Sequence, residues 1–269
     1  MSLARRESLV RLARRHDALI ISDDVYDFLQ WPVSSASPLS SVTPLPRLCD
    51  VDRAFGIPEG GFGNAISNGS FSKIVGPGVR TGWVQAPDAF VLGMSHNGAT
   101  RSGGAPSQFT AAVVSDLVSS GELEKLLDET TRPVLRRRHG RMMEAVNEHL
   151  LPHGAVVRTS SLLGGDVYGG YFVWLTLDIG VPAEAIGRVA LEEENLVIGV
   201  GNMFEVKGDE KSVQFDKEIR LCFAWEPEED LVEGVERLGR ILKKIRDNLT
   251  HYKNLGRQEQ EQSFVDANK

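Results

Sequence analysis

The first residues of the chain place apolar and charged side chains on opposite faces of a helix. Leu9, Leu12 and Ala13 share one face of the segment Ser2–His16, and arginines cover the other, which is typical of an amphipathic helix. The apolar run Ala18–Ser22 follows and contains β-branched residues. Such a run predicts a strand buried on both faces of a parallel sheet. The chain therefore begins like an α/β fold.

The same two patterns, an apolar helix face and a short apolar run, predict the remaining helices and strands. Further strands are expected at Ala65–Gly69, Gly82–Gln85, Ala155–Arg158, Tyr171–Leu177, Leu196–Val200 and Ile219–Ala224. Further helices are expected at Ser107–Val118, Glu122–Leu150, Ala183–Glu194 and Glu228–Asn248. The segment Trp31–Gly63 is rich in Pro, Ser and Gly, and a surface loop is expected there.

The order of these elements predicts two domains and a tail. Residues 1–130 form the first domain, with strands and helices of a parallel or mixed sheet. Residues 131–250 form a C-terminal α/β domain that includes a long interdomain helix. Its order of strands and helices suits an antiparallel or mixed sheet covered by helices. Residues 251–269 are polar and have no period, so a disordered tail is expected.

Composition excludes several classes of protein. Apolar residues make up 41% of the 269 and charged residues 25%, as in soluble globular proteins. A net charge of −7 gives no electrostatic reason to bind nucleic acid. Because no apolar run approaches the roughly 20 residues that span a bilayer, a membrane protein is not expected.

Cysteine and histidine usage bears on redox environment and on metals. Cys49 and Cys222 are far apart, which suggests a reducing compartment, the cytoplasm, without a disulfide framework. His149 and His153 are separated by Pro152, which breaks the helical face that two ligands would share. No metal site is predicted.

The most informative stretch for chemistry is Ser67–Val84. Lys73 follows Ser70 and Ser72, and a Gly-Pro-Gly turn leads from it to Arg80. Lysine forms an imine with an aldehyde, and serine hydroxyls with a guanidinium bind phosphate. Pyridoxal phosphate (PLP) requires both features. The alternative for any part of this run taken alone is a polar loop with an ordinary turn.

A second candidate group follows the first predicted strand. Asp23 and Tyr26 lie at its carboxyl end, where open α/β sheets bind ligands. The pattern Asp-Asp-x-x-Asp also resembles the magnesium motif of prenyl synthases. Those enzymes are helical, and no second aspartate-rich motif occurs here, so that interpretation is disfavoured. Asp24 and Asp27 are expected to lie in a solvated turn.

Arg220 lies within an apolar predicted strand. Burying a guanidinium is costly unless an anion pairs with it. The anion could be a structural glutamate or the carboxylate of a ligand. The residues alone leave both possibilities open.

Together these motifs resemble the class I/II aminotransferases, which are PLP enzymes of fold type I. The segments that carry the resemblance are Asp23–Tyr26, Ser67–Val84, Gly169–Trp174 and Ile219–Ala224. The seven-residue step from Lys73 to Arg80 is most similar to the branch with the 2-aminoadipate, aromatic and kynurenine aminotransferases. The resemblance implies a partial large domain followed by a small α/β domain.

The resemblance also implies a role for each candidate residue. Lys73 would bind the PLP aldehyde and move the substrate proton. Asp23 would hold the pyridine nitrogen of PLP, and Tyr26 would hold its phenolic oxygen. The phosphate would be bound by Ser70, Ser72 and Arg80, and the substrate carboxylate by Arg220. The implied reaction transfers the amino group of an α-amino acid to a 2-oxo acid. Donors of the 2-aminoadipate, aromatic and branched-chain types remain open. A homodimer is implied as well.

The resemblance extends from about residue 2 to residue 248 and covers only the C-terminal part of the family's enzymes. An N-terminally truncated aminotransferase is therefore expected, with an exposed sheet edge and an uncovered apolar face. The alternative is a catalytically inactive remnant that acts, if at all, as a binding or dimerising protein. A transcription regulator built on the same fold ranks last, because no DNA-binding segment is seen in the sequence.

Overall fold

The computed structural model describes residues 1–34, 36–42, 44–101, 107–158, 167–209 and 212–254. Its contacts divide these residues into two units. Unit 1 comprises residues 1–133 and 167–170, and unit 2 comprises residues 134–158 and 171–254. The predicted boundary after residue 130 lies close to the division after Pro133, whereas the return of residues 167–170 to unit 1 was not predicted.

The regular elements are as follows. The helices are α1 (Leu3–Arg15), α2 (Leu48–Ala54), α3 (Asp88–Ser95), α4 (Gly98–Arg101), α5 (Gln108–Ser119), α6 (Glu122–Leu126), α7 (Arg132–His149), α8 (Ala183–Glu194) and α9 (Glu228–Asp247). The strands are β1 (Ile20–Asp23), β2 (Gln30–Pro32), β3 (Ala65–Ser70), β4 (Gly82–Gln85), β5 (Ala155–Val157), β6 (Val167–Gly169), β7 (Phe172–Leu177), β8 (Gly199–Val200) and β9 (Glu218–Cys222). A π-helical turn, Leu127–Thr131, joins α6 to α7.

Unit 1 is built on a mixed sheet of order β1-β3-β4. Strand β1 pairs in parallel with β3, and β3 pairs antiparallel with β4. The expectation that the first strand is buried on both faces is wrong, because β1 lies at the sheet edge and Ile21 is 66% exposed. The predicted mixed α/β character of this region is confirmed.

The predicted loop at residues 31–63 contains regular structure. Helix α2 lies within it, and β2 pairs antiparallel with β6. Leu48 and Val51 of α2 pack with Val10 and Ala65 in the core of unit 1. The helix has seven residues, too few for its periodicity to stand out in a segment rich in Pro and Gly.

Unit 2 contains an antiparallel sheet of order β5-β7-β9-β8. Half-buried and buried side chains alternate along the whole of strand β7, and Val173, Leu175 and Leu177 are completely buried. Helices α8 and α9 pack against each other. The buried side of α9 consists of Leu231, Val235, Leu238, Gly239, Ile241, Leu242 and Ile245. The antiparallel sheet and both helices agree with the sequence prediction.

The predicted tail requires a correction. Residues 251–254 are helical and the Tyr252 side chain is buried, so the folded part extends beyond residue 250. The remainder of the predicted tail, residues 255–269, lies outside the described residues. Within the described part of the chain, no helix has the length and apolar character needed to cross a membrane.

Candidate active site

The sheet of unit 1 brings two of the predicted site segments to one edge. Because β1 and β3 run parallel, their carboxyl ends meet there. Asp23 ends β1 and is in register with Asn68, whose side-chain amide Nδ2 donates to Asp23 Oδ1 at 3.0 Å. Strand β3 continues to Ser70 and then enters a 3₁₀ turn, Phe71–Lys73. Asp23 and Lys73, fifty positions apart, therefore belong to adjacent strand ends.

Lys73 and Tyr26 are brought together. The Lys73 ammonium nitrogen Nζ lies 5.8 Å from the centre of the Tyr26 ring, and both side chains are half-buried. Gly170 lies against the ring with φ +79°, and a Cβ there would lie 3.6 Å from Tyr26 Cγ. That distance is an ordinary van der Waals contact, so the left-handed backbone, and not the space beside the ring, is what favours glycine here.

The two serines sit on the turn that carries the lysine. Ser70 Oγ accepts a hydrogen bond from the backbone N–H of Ser72 at 3.1 Å. This bond caps the 3₁₀ turn and fixes the direction from which Lys73 leaves the sheet. Both serines are half-buried.

Arg80 was expected to bind phosphate together with Ser70 and Ser72, but its side chain makes a different contact. It lies in the left-handed region at φ +46° and its side chain is exposed. Its guanidinium Nη1 donates to the carbonyl oxygen of Pro77 at 3.0 Å, which closes its own turn. A phosphate contact by Arg80 remains a prediction.

Arg220 belongs to unit 2, where it lies between two aromatic rings. The guanidinium carbon is 3.9 Å from the centre of the Phe172 ring and 4.1 Å from that of Phe204. Both distances are favourable for cation–π stacking. Glu218, a candidate structural partner two residues away on β9, pairs instead with Arg158 at 3.3 Å. Aromatic faces thus stabilise the half-buried guanidinium.

The solvated turn expected at Asp24 and Asp27 is wrong, because both side chains are half-buried. Asp24 accepts hydrogen bonds from Ser22 Oγ at 2.7 Å and Ser67 Oγ at 2.5 Å. Asp27 Oδ2 accepts from Arg47 Nε at 2.5 Å. Burial raises the pKa of Asp27, and the bond from Arg47 opposes that rise. Both aspartates hold the turn that presents Tyr26.

Sequence reasoning missed Arg47 and Gln85. Arg47 lies in the segment predicted as a loop and precedes α2. Its side-chain Nη1 donates to Gln85 Oε1 at 2.6 Å. One sequence signal was available: Asp50, three residues later, accepts from the Arg47 backbone N–H at 3.0 Å, as acidic residues in a first helical turn do.

Comparison with known proteins identifies the family. The family profile described as Aminotransferase class I and II matches residues 1–238. The chain therefore belongs to the class I and II aminotransferase family.

Individual relatives match nearly the whole chain. An uncharacterized protein of Saccharomyces cerevisiae is 33% identical over 254 residues, which are 93% of this chain and 54% of the yeast protein. The 2-aminoadipate transaminase of Thermus thermophilus is 30% identical over 243 residues, 90% of this chain and 53% of that protein. The chain spans about half the length of these relatives.

Solved structures show the same fold. The α-aminoadipate aminotransferase LysN of Thermus thermophilus, complexed with N-(5'-phosphopyridoxyl)-L-leucine, has a TM-score of 0.68 at 27% identity. The match covers 90% of this chain and 55% of that structure. The fold is therefore that of the fold-type I aminotransferases, as the sequence resemblance implied.

Proposed function

We propose that the protein takes part in PLP-dependent transfer of an amino group from an α-amino acid to a 2-oxo acid. The observation that carries the proposal is the meeting of Lys73, Tyr26 and Asp23 at one edge of the sheet in unit 1. Family membership and the phosphopyridoxyl ligand of the related LysN structure support it.

The side chains at this edge fit the cofactor chemically. They comprise an amine for the aldehyde, a carboxylate for the pyridine nitrogen, a phenol for the ring oxygen and serine hydroxyls for the phosphate. Lys73, Asp23, Tyr26, Ser70 and Ser72 would hold the group in these roles, and Arg80 is retained as a phosphate ligand. Bound PLP supplies an electron sink for the bond that is broken at the substrate α-carbon.

Lys73 has a second role once substrate is bound. Its amine would take a proton from the substrate α-carbon and deliver it to the carbon of the cofactor aldehyde. Its 3₁₀ turn is held by Ser70 Oγ, which limits the positions the amine can reach. Asp23 stays exposed except for the bond from Asn68, so its carboxylate retains acceptor capacity.

Arg220 would orient the substrate by its α-carboxylate. The Phe172 and Phe204 rings lie over the guanidinium, while its N–H donors lie in the guanidinium plane. Donors held in one plane suit bidentate binding of a carboxylate. By likeness to its relatives and to the leucine adduct of the LysN structure, the donor is of the 2-aminoadipate, aromatic or branched-chain type.

We further propose a homodimer that uses the apolar surface of α3 and α5. Helix α3 has no buried residue, although Phe90, Val91 and Leu92 are apolar. On α5, Phe109 is 80% exposed and Val113, one turn later, is 55% exposed. Exposed apolar surface of this extent is typical of a protein interface.

The test is the visible absorption of the purified chain mixed with PLP. We expect an absorption band that disappears in Lys73→Ala and persists in Lys125→Ala, which removes an exposed lysine of α6. Addition of an amino-acid donor should then reduce the band, and a 2-oxo acid should restore it. Absence of a Lys73-dependent band would contradict the proposed function.

A non-catalytic role is the second candidate. It is favoured by the exposed apolar side chains of α3 and α5. A chain that dimerises without any lysine-dependent absorption would support this role. The lysine-dependent absorption distinguishes the two candidates. Analytical ultracentrifugation of the same sample tests the dimer that both allow, with Phe109→Ser as the variant that weakens it.

A further inference from the structure

The turn between β1 and β2 presents Tyr26 on one side and Asp27 on the other. Two backbone bonds define the turn: the Asp27 N–H donates to the Asp24 carbonyl at 3.1 Å, and the Leu29 N–H donates to the Tyr26 carbonyl at 2.9 Å. Tyr26 lies near Lys73, whereas Asp27 lies against Arg47. A group that fixes Asp27 therefore also fixes the direction of the neighbouring phenol.

Arg47 connects this turn to two other elements. Its Nε donates to Asp27 Oδ2 at 2.5 Å, and its Nη1 donates to Gln85 Oε1, at the end of β4, at 2.6 Å. Gln85 Nε2 in turn donates to Asp50 Oδ1 at 3.0 Å, and Asp50 Oδ2 accepts from the Arg47 backbone N–H. Arg47, Gln85 and Asp50 thus form a closed ring of hydrogen bonds that passes through the Arg47 backbone, and the Arg47 guanidinium bonds Asp27 of the turn to this ring.

This ring requires an arginine. The guanidinium presents donors at fixed angles in one plane, so a single side chain bonds Asp27 and Gln85 simultaneously. A lysine ammonium has the charge but lacks that planar fork. The pair is largely buried, with 21% and 26% of the Arg47 and Asp27 side chains exposed. Burial also raises the pKa of Asp27, so the carboxylate is costly to leave without its partner.

We propose that Arg47 is a positioning residue of the PLP site: through Asp27 it holds the turn that presents Asp23 and Tyr26 to the cofactor. This inference rests on the proposed function. None of the roles predicted for Asp23, Tyr26 and Lys73 involves Arg47. Arg47 contacts Asp27, on the side of the turn opposite Tyr26.

The test compares Arg47→Lys with Arg53→Lys in the chain of 269 residues. Arg53 lies on α2, the helix that Arg47 precedes, and its exposed side chain pairs with Asp50 at 3.6 Å, so its variant matches the charge and the location. We expect R47K to weaken the affinity for PLP by about tenfold to a hundredfold, as loss of supporting contacts does at other sites. The maximum of the Lys73-dependent absorption should also shift, because Tyr26 contacts the chromophore.

Hydrogen exchange supplies a readout that does not need the cofactor. In R47K the Asp27 and Leu29 amides should exchange about tenfold faster or more, while amides of α9 are unchanged. Uniformly faster exchange, with the absorption maximum unmoved, would indicate a general structural role and overturn the proposal. Unchanged affinity and unchanged exchange in R47K would overturn it as well.

Failure of the proposed function has a distinct outcome. If the wild-type chain shows no Lys73-dependent absorption, PLP binding is contradicted, and the exchange of the Asp27 and Leu29 amides still decides whether Arg47 holds the turn. If R47K does not fold, Gln85→Met removes one of the two acceptors without unpairing Asp27. The loss of PLP affinity and the shift of the absorption maximum are then expected to be smaller than in R47K. If Q85M behaves as the wild type does, the ring does not position the turn.

Discussion

The two units are stabilised in different ways. Unit 1 has polar groups at its centre: the Asp52 side chain is fully buried and Ser67 is 1% exposed. Unit 2 also buries two polar residues, His139 and Glu218, whereas its strand β7 and one face of α9 bury aliphatic side chains. Unit 1 carries the lysine site and leaves apolar surface at Ile21 and on α3. Lys73 and Asp23 thus belong to the unit whose core contains a completely buried carboxylate.

Loss of the buried ion pair in unit 1 is the largest effect we expect. Asp52 accepts from Arg14 Nε at 2.7 Å and from the backbone N–H groups of Asn64 and Ala65 at 2.6 and 3.2 Å. Arg14→Met leaves that carboxylate without its cation, which costs about 3–5 kcal/mol of unfolding free energy. Urea denaturation measures the loss. Arg15→Met, on the exposed side of α1, should cost far less, and equal costs would contradict a polar core.

Unit 2 should respond most to a cavity. Leu242 is completely buried on α9, so Leu242→Ala should lower the free energy of unfolding by about 2–5 kcal/mol. The matched control is Leu191→Ala on α8, where the side chain is 49% exposed. If both variants have the same midpoint in urea, the apolar packing assigned to unit 2 is wrong.

One group gives unit 2 a dependence on pH. His139 is buried against Phe223, with ring centres 5.3 Å apart, and burial lowers its pKa from 6.5 to about 4. The unfolded chain therefore binds a proton that the folded chain excludes, and stability falls as the pH drops through 6.5 toward 4. Between pH 7 and pH 5 the loss from this group is about 2 kcal/mol.

His139→Phe isolates that loss. The variant should lose about 2 kcal/mol less than the wild type over the same pH interval. His96→Gln, which removes an exposed imidazole after α3, should behave as the wild type does. Parallel pH profiles for H139F and the wild type would show that the buried imidazole does not control this dependence.

The smallest effect is expected at the edge of unit 1. Ile21→Thr replaces an exposed side chain on β1 and should change stability by less than about 0.5 kcal/mol. Val173→Thr in β7 of unit 2 places a hydroxyl in a fully buried position and should cost about 1–3 kcal/mol. Thermal melts of the two variants measure the contrast. A large loss in I21T would mean that this face of β1 is covered.

Many elements were predictable from the sequence, and those that were missed are short. Helix α8 and strand β4 have the predicted bounds, and α9 begins at the predicted residue, Glu228. Helix α2 was missed because seven residues do not establish a period. Strand β6 lies beyond the predicted domain boundary, and its pairing with β2 in unit 1 depends on a long-range contact that local patterns do not encode.

The chemical identity of the candidate site was present in the sequence. Lys73 with its serines, and Asp23 with Tyr26, were predicted from residue chemistry together with the resemblance to the family, and their roles toward the cofactor remain predictions. The resemblance to a family added the fold, which comparison confirmed.

Only the tertiary structure decided how these residues are supported. Aromatic stacking on Arg220, the half-burial of Asp24 and Asp27, and the ring through Arg47 and Gln85 join positions far apart in the chain. Whether a charge is solvated or buried depends on what packs over it, and that neighbour comes from another part of the sequence. The chemistry of a side chain is therefore given by its residue type, whereas its burial and its hydrogen-bond or ion-pair partners are set by the fold.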